Sequence, residues 1–343
     1  MAGTPLLFHL KPPTTTRVVA AVVRERGVEG LDEAQRRADQ ATYQEVICRS
    51  ALNRVTGMPF EWTLNPYRGC THGCHYCYAR RYQTQFELDA DDQFSSVILV
   101  KKNLVDVLRR ELARPGWTRA DVAVGTATDA YQPIEGSYKL TRRSLEALAE
   151  ARTPAGIVTK GPMCVRDIDV MQELARRASC TVYLSVPTVD EDAWAKLEPG
   201  TAHPMQRLRA VRQLRDAGID AGVLMNPIVP GISSDPEKLE RTVKAIVDHG
   251  ATFVGTNVLF LEGGTRDHFM AFLAREYPQL VQGYQQMYAR KYAPEAYRRK
   301  VHGYIEMLQS RHGLGRRSRG GDCGAGGEQH PAHREPGQPA FRW

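Results

Sequence analysis

The sequence predicts an α/β fold, a curved and partly closed barrel of repeated βα units. Three observations lead there. Short apolar runs and amphipathic stretches take turns from Phe94 to Leu261. The amphipathic stretches space their apolar residues by three and four, as a helix face requires, and the runs between them have strand length. Two of the helical stretches close on glycine, Gly218 and Gly250, a common helix stop. Repeated βα units demand a parallel sheet with helices outside it.

The elements follow in order. Residues 1–40 hold Pro12-Pro13, a threonine run and a charged stretch, and read as a flexible arm. Tyr43 to Arg54 reads as a helix leading into a core that spans 41–262. Val122 to Thr126 is a strand and Leu140 to Arg152 a helix. Gly156 to Thr159 is a strand; Val165 to Ala178 is a helix with Ile168, Met171, Leu174, Ala175 and Ala178 on one face. Thr181 to Ser185 is a strand, and Met205 to Ala217 a helix with Leu208, Val211 and Leu214 inward. Asp220 to Met225, Pro236 to His249 and Thr252 to Leu259 complete the series as strand, helix and strand, the helix facing inward with Leu239, Val243, Ile246 and Val247. After Gly263-Gly264, residues 263–310 form a helical, aromatic-rich segment with Arg290, Lys291, Arg298, Arg299 and Lys300 interleaved. Aromatics at helical spacing pack against the open side of the barrel; with cations between them they also make nucleic acid a candidate partner. The last stretch, 311–343, is basic and glycine-rich without periodicity, and reads as a disordered tail.

Composition agrees with a large soluble core. Of 343 residues, 42% are hydrophobic and 25% charged. The 46 basic and 39 acidic residues leave a net charge of +7, enough to attract nucleic acid only where it is clustered. No apolar run has membrane-spanning length. Val18 to Val23 is too short for a signal-peptide core. Seven cysteines, three of them in one loop, suit a reducing cytoplasm better than a disulfide scaffold. Cys48, Cys164, Cys180 and Cys323 are expected to be unpaired, with Cys180 in the core.

Chemistry concentrates in the run Asn65 to Arg80, where Cys70, Cys74 and Cys77 are spaced C-x3-C-x2-C between Gly69, Gly73 and several aromatics. Three thiolates on one tight loop can hold three irons of a cubane cluster and leave the fourth iron open, whereas electron carriers use four cysteines. An open metal position is what a catalytic site needs. Glycines suit a loop bent round a cofactor. The competing reading is a Cys3His zinc site completed by His72 or His75, but paired zinc motifs carry a second cysteine pair, and none follows here.

Strand ends supply the rest. In such barrels the site lies at the carboxyl ends of the strands. Here those ends carry Thr128-Asp129, Lys160, Ser185, Asn226 and Asn257. Each taken alone suits a turn or cap. Lys160, directly after an apolar strand and before Gly161-Pro162, stands where an anion could bind.

The cysteine run resembles the radical S-adenosylmethionine (SAM) superfamily, whose signature has an aromatic, here Tyr76, before the last cysteine. The likeness is to the branch containing spore photoproduct lyase: Gly69, Cys70, His72, Cys74, Tyr76, Cys77 and Tyr78 fit its Gly-Cys-x-His-x-Cys-x-Tyr-Cys-Tyr loop. It covers about Glu61 to Leu261. The resemblance implies a partial (β/α)6 TIM-like barrel of the radical SAM type, with N- and C-terminal extensions. It implies a [4Fe–4S] cluster on Cys70, Cys74 and Cys77, with SAM on the remaining iron. Reductive cleavage of SAM would give a 5′-deoxyadenosyl radical that abstracts hydrogen from an unknown substrate, with an external donor of flavodoxin or ferredoxin type supplying the electron. Thr128, Asp129, Lys160 and Ser185 match the family's SAM contacts; Asp129 would accept from the ammonium and Lys160 pair with the carboxylate. Leu197-Glu-Pro-Gly-Thr and the following Arg-Leu place Glu198 and Arg207 near the cofactor or in structural pairs. Pro227 to Gly231 fits the wall on the adenine side. Gln132 and Glu135, in a stretch shared with uncharacterised relatives, face substrate or fix the loop. One departure stands out: the lyase carries a hydrogen-donating cysteine in Cys-Thr-Ser-Asp, where this chain reads Thr126-Ala127-Thr128-Asp129. The rival to an enzyme is a non-catalytic iron–sulfur or zinc protein that binds nucleic acid through its C-terminal third.

Overall fold

The computed structural model describes residues 37–86 and 93–314. The expected arm and tail lie outside them, except for residues 37–40, which are helical, and 311–314, where the last helix ends.

Among the described residues ten strands form two sheets: β1 Thr42–Val46, β2 Leu52–Arg54, β3 Trp62–Leu64, β4 Tyr67–Arg68, β5 Val97–Lys101, β6 Val122–Val124, β7 Ala155–Thr159, β8 Cys180–Ser185, β9 Asp220–Ile228 and β10 Val254–Val258. The principal sheet has the order β10-β9-β8-β7-β6-β3-β2. Six of its strands, β3 and β6 to β10, pair in parallel. β2 joins β3 antiparallel at the edge. The order does not return on itself, so the (β/α)6 barrel is partial, as the sequence implies. The crossover helices are α1 Leu104–Leu112, α2 Leu140–Glu150, α3 Ile168–Arg177, α5 Pro204–Asp216 and α6 Pro236–Asp248, with the shorter α4 Glu191–Leu197 between α3 and α5. The chain then runs through α7 Gly264–Glu276, α8 Val281–Met287 and α9 Glu295–Arg311.

The core lies between the sheet's outer face and these helices. Ile157, Val182, Leu184 and Val223 meet Leu145, Leu174, Leu208, Val211, Val243 and Ile246, all fully buried. Strand side chains alternate between faces, so the next residues along point into the barrel. There Val158, Tyr183, Leu224 and Phe253 form a separate apolar cluster. Two residues on, the same face presents Lys160, Ser185 and Asn226. Apolar floor and polar mouth thus come from one alternation.

The lead-in is a correction. Tyr43 to Arg54 forms not a helix but β1, a bend and β2. β1 pairs in parallel with β5, Tyr43 opposite Ile98, in a small sheet ordered β1-β5-β4. Long-range pairing decides this. The Glu111 carboxylate also accepts from the N–H groups of Ala51 (3.1 Å) and Leu52 (2.9 Å) and from the Ser50 hydroxyl (2.8 Å), holding the bend open.

In the C-terminal segment the aromatics mostly pack. Phe269, Phe272, Tyr284 and Tyr288 are buried, and the Tyr288 hydroxyl donates to the Leu259 carbonyl (2.8 Å). Tyr292 is the exception, at 46% exposure. Among the described residues no helix is long and apolar enough to cross a membrane.

Candidate active site

The cysteine loop leaves β4 at Gly69 and ends in the 3-10 helix Tyr78–Phe86. Gly69 is left-handed (φ 78°), and a Cβ there would sit 2.6 Å from the Val97 carbonyl oxygen. Only glycine fits that turn against β5. Each cysteine carbonyl is then tied back to an N–H three residues on: Cys70 to Gly73, Cys74 to Cys77 and Cys77 to Arg80, each at 3.2 Å. The backbone therefore curls round one centre. Arg80, buried, donates from Nε to the Cys74 carbonyl (3.1 Å) and from a terminal nitrogen to that of Gly73 (2.9 Å).

All three cysteines are free thiols; Cys70 and Cys74 are buried and Cys77 half-buried. Burial, first of all, pushes the Cys74 thiol up to about 12, with Lys160 pulling the other way. Cys70 is raised well above its ordinary value by burial, then by Asp129 and the other two thiols. A bare thiolate is costly in such a place, and a metal replacing the proton removes that cost. Three thiols of one curled loop, with Cys48, Cys164 and Cys180 buried elsewhere in the core, fit a cubane cluster that keeps one iron open. The His75 ring, one candidate fourth zinc ligand, is taken up by His268 (2.9 Å), and His72 Nδ1 faces Asp129 (3.4 Å). Zinc is not favoured.

Lys160 comes to this loop from the end of β7. Its side chain is 17% exposed. The ammonium lies 5.5 Å from the centre of the Tyr76 ring and 3.9 Å from Glu198 Oε1, a distance too long for a hydrogen bond. Burial works against its charge, but Cys74 and Glu198 outweigh it and raise the pKa. Glu198 in turn pairs with the wholly buried Arg207 at 2.7 Å and accepts the Tyr76 hydroxyl. Ser185, buried at the end of β8, has only a long bond to the Asn226 carbonyl (3.5 Å). Asn226 Oδ1 is buried without a partner. Asn257 is exposed.

Thr128 and Asp129 are hydrogen-bonded to the loop and to the end of β7. The Thr128 hydroxyl donates to the Gly69 carbonyl (2.6 Å). One Asp129 oxygen accepts from the Tyr131 N–H (2.8 Å) and the Thr159 hydroxyl (2.6 Å). The other accepts from the Lys160 N–H (2.7 Å) and faces His72 Nδ1 at 3.4 Å. Burial alone would raise its pKa, but His72 and these donors hold it well below the carboxylate range. Each oxygen already faces two donors, so the geometry gives Asp129 the task of holding the loop and β7 together. Gln132 belongs to the same scaffold: its side chain bonds the Thr71 N–H (3.2 Å) and the Gly69 carbonyl (3.2 Å). Glu135 accepts the Tyr67 hydroxyl, the Thr141 N–H (3.0 Å) and Arg166 (3.2 Å). Of the two roles open to Gln132 and Glu135, the structure favours fixing the loop. The role of Arg80 and the partner of His75, His268, were not singled out by sequence; only Arg80's place at the end of the cysteine run hints at it.

The model of the radical SAM superfamily matches residues 64–246. The chain belongs to the radical SAM superfamily. It is a radical SAM enzyme, and a [4Fe–4S] cluster and SAM are the cofactors that go with the family. An uncharacterised protein of Mycobacterium bovis is 38% identical over 280 residues, covering 80% of this chain and 82% of that protein. A radical SAM Nα-GlyT isomerase of Pseudomonas phage M6 is 28% identical over 168 residues, 49% of this chain and 33% of that protein. Among solved structures, a spore photoproduct lyase variant with bound AdoMet and dinucleoside spore photoproduct shares the fold, with a TM-score of 0.63 at 13% identity over 86% of this chain and 91% of that one.

Proposed function

We propose that Cys70, Cys74 and Cys77 hold the cluster and that Lys160 and Ser185 bind SAM at its open iron. One observation carries this reading: an ammonium that has no hydrogen-bond partner among the described residues, only Glu198 at 3.9 Å, stands at a strand end and faces a loop of three free thiols. When bound on these three thiols, the cluster would supply the electron for reductive cleavage of SAM. The chain's own part is to orient and exclude. Lys160 offers its charge to the SAM carboxylate, while Tyr76 limits where that carboxylate can sit. The apolar floor of Val158, Tyr183, Leu224 and Phe253 closes the barrel beneath and keeps water from below. An external donor of flavodoxin or ferredoxin type supplies the electron.

The test is anaerobic reconstitution followed by calorimetry with SAM. Lys160→Ala should keep its iron and sulfide and lose about 1.5–3 kcal/mol of SAM affinity, the worth of one charge-assisted contact. Unchanged affinity would remove Lys160 from the site.

For the substrate, the mouth favours nucleic acid. From Tyr78, next to Cys77, a wall of rings leads outward through Phe260 (6.1 Å between centroids) to Tyr292 (5.9 Å). Lys291 and Arg298 lie over Tyr292 at 5.3 and 5.4 Å. Rings for bases and cations for phosphates are the elements of single-strand recognition. Tyr292→Ala combined with Arg298→Gln should weaken binding of a single-stranded oligonucleotide by about 1–3 kcal/mol and flatten its salt dependence. Anisotropy titrations at several salt concentrations measure both; equal affinities and slopes would exclude this surface.

A further inference from the structure

The segment after α4 does something the cysteine spacing does not announce. Its backbone lies directly on the cysteine loop. The His75 N–H donates to the Leu197 carbonyl and the Gly200 N–H to the His72 carbonyl, both at 3.0 Å. A Cβ on Gly200 would fall 2.4 Å from the Thr71 oxygen and 2.9 Å from that of His72, so any larger residue would push the two strips of backbone apart. Between these two contacts stands Glu198, 2% exposed.

Glu198 connects three things. One oxygen accepts the hydroxyl of Tyr76, which lies between Cys74 and Cys77. The same oxygen lies 3.9 Å from the Lys160 ammonium. The other is anchored on Arg207, itself fixed by the carbonyls of Ser185 (2.9 Å) and Ala202 (2.8 Å). A buried carboxylate anchored on one side by a wholly buried arginine has little freedom to move. Whatever it holds on the other side is held in register with it.

We propose that Leu197–Thr201 is a clasp on the cluster loop, and that Glu198 is a positioning residue setting the cluster-bearing loop and the Lys160 ammonium at a fixed separation. This rests on the cluster and SAM reading above and goes further: it assigns the relative placement of the two cofactors to a residue that ligates neither. Tyr76 is the link on the loop side and Lys160 on the SAM side.

The experiment uses reconstituted full-length protein and reads iron and sulfide content, the electron paramagnetic resonance spectrum of the reduced cluster with and without SAM, and SAM affinity. Glu198→Gln should retain the wild-type iron count, because all three thiols remain. Its affinity for SAM should fall roughly tenfold, as expected when one charge-assisted contact is misplaced, and the spectral change caused by SAM should differ from that of wild type. Tyr76→Phe leaves the Glu198–Arg207 pair intact and should alter the same spectral change. It decides the matter if Glu198→Gln, with Arg207 then unpaired, does not fold. Gly200→Ala should lower the iron count itself. The inference is overturned if Glu198→Gln, or Tyr76→Phe in its place, matches wild type in spectrum and affinity. A wild-type protein that takes up no iron or binds no SAM would instead defeat the underlying reading.

Discussion

The surroundings of Cys74 support reading the loop as a metal loop and not as a cluster of core thiols. Cys164 and Cys180 are as deeply buried, and burial pushes Cys180 up to about 12 as it does Cys74. What differs is the company. Beyond burial, Cys180 is affected by the acidic Asp220 alone, while Cys74 lies among Lys160 and Arg207, which favour its ionised form, and Glu198 and Cys77, which oppose it. Each of Cys70→Ala, Cys74→Ala and Cys77→Ala should abolish cluster assembly, since each removes one of only three thiolate ligands. Cys48→Ala, Cys164→Ala, Cys180→Ala and Cys323→Ala should leave iron and sulfide at wild-type levels. A full complement in any of the first three variants would refute the assignment. That the cysteines share one loop and that Lys160 stands at the end of β7 was legible in the sequence, because spacing and strand-end position survive without tertiary knowledge. The role of Asp129 was not: which donors surround a carboxylate depends on where His72 and Thr159 fold to, and neither is adjacent in the chain.

At the level of elements, α4 carries the clasp at its C-terminal end, so its own stability matters to the site. Asp190 caps it, accepting from the Ala193 N–H at 3.1 Å, and pairs with Lys238 at 3.1 Å and Arg241 at 2.9 Å. Burial opposes the charge, but the Ala193 N–H and Lys238 outweigh it and lower the pKa. A lowered carboxylate pKa contributes stability that is present above the unfolded value, about 3.9, and is lost as pH falls through the folded value. Asp190→Asn should therefore cost little as a cap and about 0.2–1 kcal/mol as a lost, partly exposed ion pair at pH 7. The difference from wild type should shrink as pH drops below about 4. Urea unfolding at pH 7 and pH 3 measures it; a difference that grows on acidification would contradict the assigned role. The helices α5 and α6 were legible almost to the residue, because Pro204 and Pro236 open them and glycine follows them. β1, β2 and β3 were not. They are short, and each owes its state to partners: β1 to β5, β3 to β6, and the bend between β1 and β2 to Glu111. Local pattern contains none of that.

Over the whole molecule the fold is shared with spore photoproduct lyase, and fold alone does not settle how hydrogen is returned to a product radical. By the resemblance of the sequence, Thr126 stands where the lyase carries its hydrogen-donating cysteine. The Tyr78 hydroxyl donates to its backbone carbonyl. A hydroxyl gives up a hydrogen atom far less readily than a thiol does. Cys164, the nearest alternative in the chain beyond Lys160, is wholly buried in the main hydrophobic cluster and offers no exposed thiol at the mouth. Shared architecture does not carry shared function when the reacting group differs. The protein should accordingly cleave SAM reductively but leave spore photoproduct in DNA unrepaired. Incubating reduced, cluster-loaded protein with SAM and that substrate separates the outcomes: 5′-deoxyadenosine without thymine supports the argument, and catalytic return of thymine overturns it. Thr126→Cys supplies the missing thiol beside Tyr78. If the rest of the mouth accepts the dinucleotide, this single change should bring measurable repair; if repair stays absent while 5′-deoxyadenosine still forms, the substrate surface and not the hydrogen donor sets this enzyme apart.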